Sequence, residues 1–569
     1  MTSAAVTVAA SVPAARARLD RDDILMRAGI CLLIVWMLGT LVLPLGTLLV
    51  KSFEDQNEQF VGLANYVHYF STPALFDSVW NSLFIAGVST AIVLPLAFVY
   101  AYALQRTCMK WKGLFQGLAL IPILAPSLLP AISLIYLFGN QGFLKDLLMG
   151  GSIYGPGGII IAQVFYCFPQ ALMILVAALS MADARLYEAA DALGASKTRV
   201  FFTVTLPGAK YGLISAGFVV FTLVITDFGI AKVIGGKFNV LATDIYKQVI
   251  GQQNFGMGAV VGFVLLIPAV IAFVANRVTE RRQVALVSAR AVPLEPKADP
   301  RRDWLLFGFC ALVGGLILGI LGMSAWASFV TRWPYNLSLT FANYAFGDFD
   351  TNGWGAYWNS IELACWTAVI GTAIVFIGAY LLEKTRGFAL ARGVTQFMAM
   401  LPMAVPGLVL GLAYIFFFNA KWNPFGFIYA TMAILVVNSV THFYTVCHLT
   451  ATTALKQLDA EFEAVSASLR VSLFRTMTRV TIPVCMPTVM DVSIYLFVNA
   501  MTTVSAVIFL YSTDTKLASI AIINMDESVS TAAAAAMAMT IVLTSAAVKI
   551  GHLLLTRRLN RTTQAWRKR

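Results

Sequence analysis

Only 12% of this 569-residue chain is charged, whereas 59% is hydrophobic and the mean hydropathy is +0.78. Too few polar side chains remain to cover the exterior of a soluble protein of that length. The scarcity excludes a soluble globular enzyme and points to an all-α integral membrane protein. The apolar segments run about 20 residues or more, as helical spans do, instead of alternating over about 10 as barrel strands do. Cysteine is sparse, with seven residues and no CxxC or Cys/His ligand spacing, so neither a disulfide frame nor a metal site is expected. The four histidines form no cluster, and His442 and His448 share one apolar run. Acidic residues number 28 against 40 Lys and Arg, a formal charge of +12. The basic residues sit in short loops and at both termini, the positive-inside pattern of a membrane protein, which argues against nucleic-acid binding. There is no G-x-x-x-x-G-K-[ST], no HExxH, no clustered carboxylates and no nucleophile motif. The chain is therefore expected to hydrolyse no ATP of its own and to bind no cofactor.

What is present is a series of about twelve apolar runs. They lie near 28–50, 79–104, 115–138, 158–180, 211–234 and 256–276, then near 304–328, 358–382, 394–418, 426–449, 488–510 and 530–555. Each is long enough for a bilayer core of about 30 Å. The first is too long for a signal-peptide core and follows a basic tail, 1–27, containing Arg16, Arg18, Arg21 and Arg27. Arg106, Lys110 and Lys112, then Arg185, Lys197, Arg199 and Lys210, fall on alternate loops. Lys384, Arg386 and Arg392 hold the matching place later. An even number of spans puts both termini, including the basic tail 556–569, in the cytoplasm. Lys232, Lys237 and Lys247 near one outer loop break the pattern. The polar, proline-containing stretch 277–303 reads as a cytoplasmic linker between domains 28–276 and 304–555.

The two domains repeat each other. "NYVHYFSTPALFDSVWNS" (65–82) aligns with "NYAFGDFDTNGWGAYWNS" (343–360), the Asn-Tyr pair and Trp-Asn-Ser triplet matching at one offset of 278. "IPILAP" with Pro122 and Pro126 answers "LPMAVP" with Pro402 and Pro406, and Pro207 answers Pro483. Two six-helix halves of the same topological sense make a parallel repeat about an axis along the membrane normal.

Before the last pair of spans in each half comes an amphipathic, charged stretch, 180–211 and 455–487. "RLYEAADAL" predicts a helix, Gly194 its C-cap, Ser196 the cap of a second helix, and Pro207 the end of that helix. In the second copy, alignment on the proline sets Arg470 at the glycine position and Ala464 at Glu188. Alignment on Glu463 instead sets Leu469 there. Two copies of such a hairpin favour a docking element over a surface anchor.

"YEAADALGASKTRVFFTVTLP" resembles the EAA motif of permease subunits of bacterial ABC importers, and both halves resemble six-span permease domains of the type I importer fold. Glu188, Ala189, Ala190, Gly194 and Pro207 match the motif, and Glu463, Ala464 and Pro483 keep part of it. The resemblance implies that these residues couple to two copies of a separate ABC ATPase subunit. It also implies a periplasmic substrate-binding protein, an inner-membrane location, and import of a small molecule. A fused pair of this kind is similar to 2-aminoethylphosphonate permeases and to iron(III) importer permeases. The stretches 226–261 and 502–527 look more like the phosphonate group, so a phosphonate is the expected substrate and ferric ion the alternative. The more remote rival is an ion-coupled secondary transporter, but the major-facilitator loop signature is missing where "QRTCMKWKG" stands.

Ionisable and amide side chains inside spans are costly and mark pathways or interhelical bonds. Asp227, Glu362, Asn438, His442, Asp491 and Asn499 are the candidates, with Asp227 and Asp491 close enough to span ends to be expected at the interface.

Overall fold

The computed structural model describes residues 21–56, 58–286, 292, 294–385, 387–459, 461–528 and 530–563. Arg16, Arg18 and Arg386 lie outside them. Among the described residues, eight helices are long and apolar enough to cross a membrane: Arg21–Lys51, Pro73–Arg106, Pro156–Ser180, Phe255–Thr279, Pro300–Ala327, Trp354–Glu383, Met432–Lys456 and Thr531–Arg557. Four more candidate spans are bent pairs, which brings the number to twelve. The fold is all-helical apart from a two-stranded antiparallel hairpin, Val330–Arg332 with Asn336–Leu339. In the first half a lone Glu54–Phe60 bridge holds its place.

Two expected straight spans are sharply broken. The run 115–138 is Lys112–Leu124 followed by Leu128–Phe138 at 100°, and 394–418 is Ala389–Ala404 followed by Gly407–Phe418 at 113°. The cause is the repeated proline motif. Pro122 and Pro402 sit in short 3-10 turns, Ile121–Leu124 and Leu401–Ala404. Ala125 and Val405, the residues before Pro126 and Pro406, are extended, as the proline ring demands. The spans 211–234 and 488–510 are also shorter than expected. Their helices stop at Thr226 and Thr502, and the chain continues as short helices or turns packed inside the bundle.

The other repeated motifs do the same work twice. Asn65 Nδ2 donates to the carbonyls of Ser52 and Glu54 (3.1 and 2.8 Å), and Asn343 Nδ2 to those of Ser328 and Val330 (3.0 and 2.7 Å). The neighbouring hydroxyls of Tyr66 and Tyr344 bond to Ser52 and Ser328. In the Trp-Asn-Ser triplet, Ser82 Oγ accepts from Leu241 N and Ser360 Oγ from Ala518 N, both at 2.8 Å. Asn81 and Asn359 donate to carbonyls of the same two segments. Each half thus ties its second span to the segment that follows its fifth.

The halves exchange their first helices. Helix Arg21–Lys51 packs on Trp354–Glu383, Ala389–Met400 and Gly407–Phe418, whereas Pro300–Ala327 packs on Pro73–Arg106, Lys112–Leu120 and Leu128–Phe138. Ser133 Oγ, 2.7 Å from the Ser324 hydroxyl, lies at the second of these contacts. The exchange makes one bundle of two repeats.

Candidate functional site

Each hairpin is built locally. In the first, Asp183 caps helix Ala184–Ala192 by accepting from Arg185 N at 3.1 Å. The helix ends on Gly194 in the left-handed conformation (φ 67°), with Ala195 N reaching back to Ala190 O at 3.0 Å, a Schellman closure. Ser196 then caps the next helix, as expected, accepting from Arg199 N at 3.3 Å. Pro207 does not end that helix. A five-residue π turn, Phe201–Thr205, absorbs the missing N–H, and the chain stays helical to Gly208 before bending by 59° into Lys210–Thr226.

The second hairpin has the same backbone. Arg470 takes the left-handed conformation (φ 51°), and Val471 N bonds to Ser466 O at 2.9 Å. A π turn, Met477–Thr481, again precedes the proline, here Pro483. The alignment on the proline is therefore the one the fold follows, pairing Gly194 with Arg470 and Glu188 with Ala464. The second copy has lost the glycine but kept the turn.

The two helices present matching outer faces. Leu186 and Leu193 are 58% and 86% exposed, and Phe462, Val465 and Leu469 are 36%, 55% and 69% exposed. With Ala189 these occupy positions i, i+3 and i+7 of each helix, an uncovered apolar stripe flanked by the exposed Glu188. The sequence reading named the acidic and small residues here and missed the stripe. Apolar residues at that spacing on a helix outside the bilayer were the available signal.

The inner faces hold to the spans. Arg106, buried, donates to Leu179 O at 2.7 Å and lies 5.5 Å from the centre of the Tyr187 ring, while the Tyr187 hydroxyl donates to Thr205 Oγ1. Lys384 meets Glu463 at 3.0 Å. Glu463 therefore turns toward its own chain, in contrast with Glu188. Acidic residues at the start of the exchanged helices also touch the hairpins: Asp22 accepts from Leu473 N at 2.7 Å, and Asp299 from Lys197 Nζ at 2.6 Å. The linker lies along the first hairpin. Ala184 N donates to Val292 O, and Lys297 pairs with Asp191 at 3.0 Å. The Lys197 ammonium, helped by the Arg302 backbone N–H, holds the Asp299 carboxyl below the usual carboxylate range.

The intramembrane candidates do not gather into one site. Asp227 is not at an exposed interface. It ends helix Lys210–Thr226 inside the bundle, accepting from Gln163 Nε2 and Ile230 N, both at 3.0 Å, and lines a small cavity with Ser82 and Val240. Asn438 is buried and donates to Ala506 O at 2.6 Å, a bond from its helix to the turn that follows Thr502. His442 is half-buried against Phe443, and Asn499 donates to Tyr495 O of its own helix at 2.7 Å. Asp491 is exposed, as expected, 3.2 Å from His552 Nε2. Glu362 is exposed on Trp354–Glu383, between exposed Trp358 and Trp366. Lys232, which broke the loop-charge pattern, bridges the halves at 2.6 Å from Glu527 and lies 4.6 Å from the Tyr246 ring centre. Lys516 and Asp350 form a buried pair within the second half. Among the described residues no three His, Cys, Asp or Glu side chains are grouped as metal ligands.

Comparison with known proteins agrees with the twofold repeat. The model of the "binding-protein-dependent transport system inner membrane component" family matches twice, at residues 94–284 and 375–561. The ferric transport system permease protein of Actinobacillus pleuropneumoniae is 27% identical over 92% of this chain and 77% of its own length. A provisionally named ferric transport system permease of Haemophilus influenzae is 27% identical over 90% of this chain and 82% of its own. A spermidine/putrescine transport system permease of Haemophilus influenzae is 26% identical over 44% of this chain and 94% of its own. None of these relatives carries the phosphonate expectation, which rested on the less specific stretches 226–261 and 502–527.

Proposed function

This chain belongs to the family of binding-protein-dependent transport system inner membrane components, a multi-pass ABC importer permease, and from that premise we propose that it carries ferric ion inward across the bacterial inner membrane. The observation that carries the iron reading is the match to two ferric transport permeases along nine-tenths of the chain, through both halves and the linker. Phosphonate is replaced here by the alternative it stood beside.

In this reading two copies of an ABC ATPase subunit seat the hairpins 180–211 and 455–487. The apolar stripes enter a cleft in each ATPase, and Glu188 fixes the register of the first by charge-assisted hydrogen bonds. Ala189, Ala190 and Ala464 keep the helices narrow, the left-handed turns at Gly194 and Arg470 set the angle of each hairpin, and Pro207 and Pro483 aim each at the next span. The matched exposed stripes support this, because uncovered apolar helix faces outside a bilayer are the mark of a partner surface. ATP-driven approach of the ATPases draws the hairpins together and parts the outer segments, where Lys232–Glu527 now joins the halves. A periplasmic binding protein delivers the substrate to that mouth. Asp227, His442 and Asn499 are the side chains proposed to line the way, and both termini lie in the cytoplasm.

The test is binding to the cognate periplasmic protein, measured by calorimetry with ferric citrate and with 2-aminoethylphosphonate. Ferric binding without phosphonate binding is the expected result. The reverse sinks the iron assignment and leaves the importer assignment standing.

A further inference from the structure

Accepting the hairpins as the seats of the ATPases, we propose that Arg106 and Lys384 are positioning residues that lock each hairpin to the second span of its half. They end helices Pro73–Arg106 and Trp354–Glu383 and occupy one position of the repeat, at the same offset of 278 that relates the Asn-Tyr pairs. Their partners also occupy one position, since Tyr187 and Glu463 fall together in the proline alignment. The cation is kept while its partner has changed from an aromatic ring to a carboxylate. Arg106 lies over Tyr187 at 5.5 Å and Lys384 meets Glu463 at 3.0 Å.

Both cations are largely withdrawn from solvent, Arg106 at 6% exposed and the Lys384 side chain at 9%. A charge in that state is costly unless its partner stays in place, so each contact resists separation of hairpin and span. The other ends of the same two helices grip the segments after the fifth spans through Ser82 and Ser360. Each second span is thus a continuous rod of 34 or 30 residues, clamped to its hairpin at one end and to an outer segment at the other. A rotation of the hairpin is carried to the outer mouth along that rod. It follows that Glu463 serves its own chain, and that the second hairpin meets its ATPase through its apolar residues Phe462, Val465 and Leu469 and not through that carboxylate.

The experiment uses the chain purified with its ATPase subunit, with spin labels at Lys237→Cys and Asp514→Cys on the outer segments of the two halves. ATP with vanadate should lengthen the label distance in the parent. Lys384→Glu should retain the ATPase and lose the lengthening, the charge exchange Lys384→Glu with Glu463→Lys should regain it, and Lys384→Arg should keep it. Lengthening in Lys384→Glu, or none in the exchanged pair, overturns the proposal. If the parent does not hold the ATPase, the docking reading has failed on its own, and hydrogen exchange of 461–469 in the chain alone decides the contact. Exchange faster by on the order of tenfold in Lys384→Glu and restored by charge exchange supports the lock; unchanged exchange overturns it.

Discussion

The left-handed residue that closes each coupling helix offers a pair of opposite substitutions. At Gly194 (φ 67°) an added Cβ meets no atom within 4 Å, so Gly194→Ala creates no clash. Its cost is conformational, about 1 kcal/mol for placing an L side chain in the left-handed region. Arg470 already bears that cost at φ 51°. Arg470→Gly relieves about 1 kcal/mol and returns roughly half of it through the greater freedom of glycine in the open state. The same offset applies with opposite sign to Gly194→Ala, so local opening, read by hydrogen exchange of peptides covering 184–195 and 461–471, should speed up about twofold in Gly194→Ala and slow about twofold in Arg470→Gly. The two hairpins should become more alike in the double variant. Unchanged exchange at 184–195 in Gly194→Ala would refute the claim that the turn, and not the glycine as such, is what the two copies share.

The apolar stripes give a second prediction. Leu193→Asp and Leu469→Asp are surface changes that leave the thermal midpoint within about a degree, yet each should cut retention of the ATPase on co-purification at least several-fold; parent-like retention in both counts against the docking face. Ser82→Ala and Ser360→Ala each leave a buried backbone N–H without its acceptor, costing about 1–3 kcal/mol, and should lower the thermal midpoint of the purified chain. No shift in either means that the tie between second span and outer segment is dispensable. The linker contact has a defined pH window. The Asp299 carboxyl is held below its ordinary range, so its contribution is complete above the unfolded pKa of about 4 and is lost only as pH falls below that value. Proteolysis at 292–299 should stay flat from about pH 8 down to about pH 5 and rise on further acidification; a rise near neutrality assigns the contact to some other group.

Hydropathy and loop charge made the spans legible, and the repeat was legible because its motifs are backbone-binding residues. Asn65, Ser82 and their counterparts each satisfy carbonyls or an N–H that a packed loop must bury, so their identity is constrained twice over. The bends at Pro126 and Pro406 were not legible as bends, because a hydropathy window sums composition and is blind to direction. Asp227 was assigned to an interface by its distance along the chain, but its helix stops inside the bundle, where Gln163 and a backbone N–H satisfy it. Glu362, read from its place inside an apolar run, stands on an exposed face between two exposed tryptophans, which periodicity alone did not separate from a buried one. Lys232 broke the loop-charge rule for a reason only tertiary structure supplies, a carboxylate on the other half. The coupling motif drew attention to glutamates, although the second hairpin spends its glutamate on Lys384 and shows a partner its apolar residues instead.

Proteoliposomes containing this chain, its ATPase subunit and ATP inside, with the periplasmic binding protein outside, test the central claim most directly through uptake of radioactive ferric ion. The account predicts uptake that requires both ATP and the binding protein and that is abolished by Leu193→Asp with Leu469→Asp. Uptake driven by an ion gradient without ATP, or of 2-aminoethylphosphonate in place of iron, would contradict it.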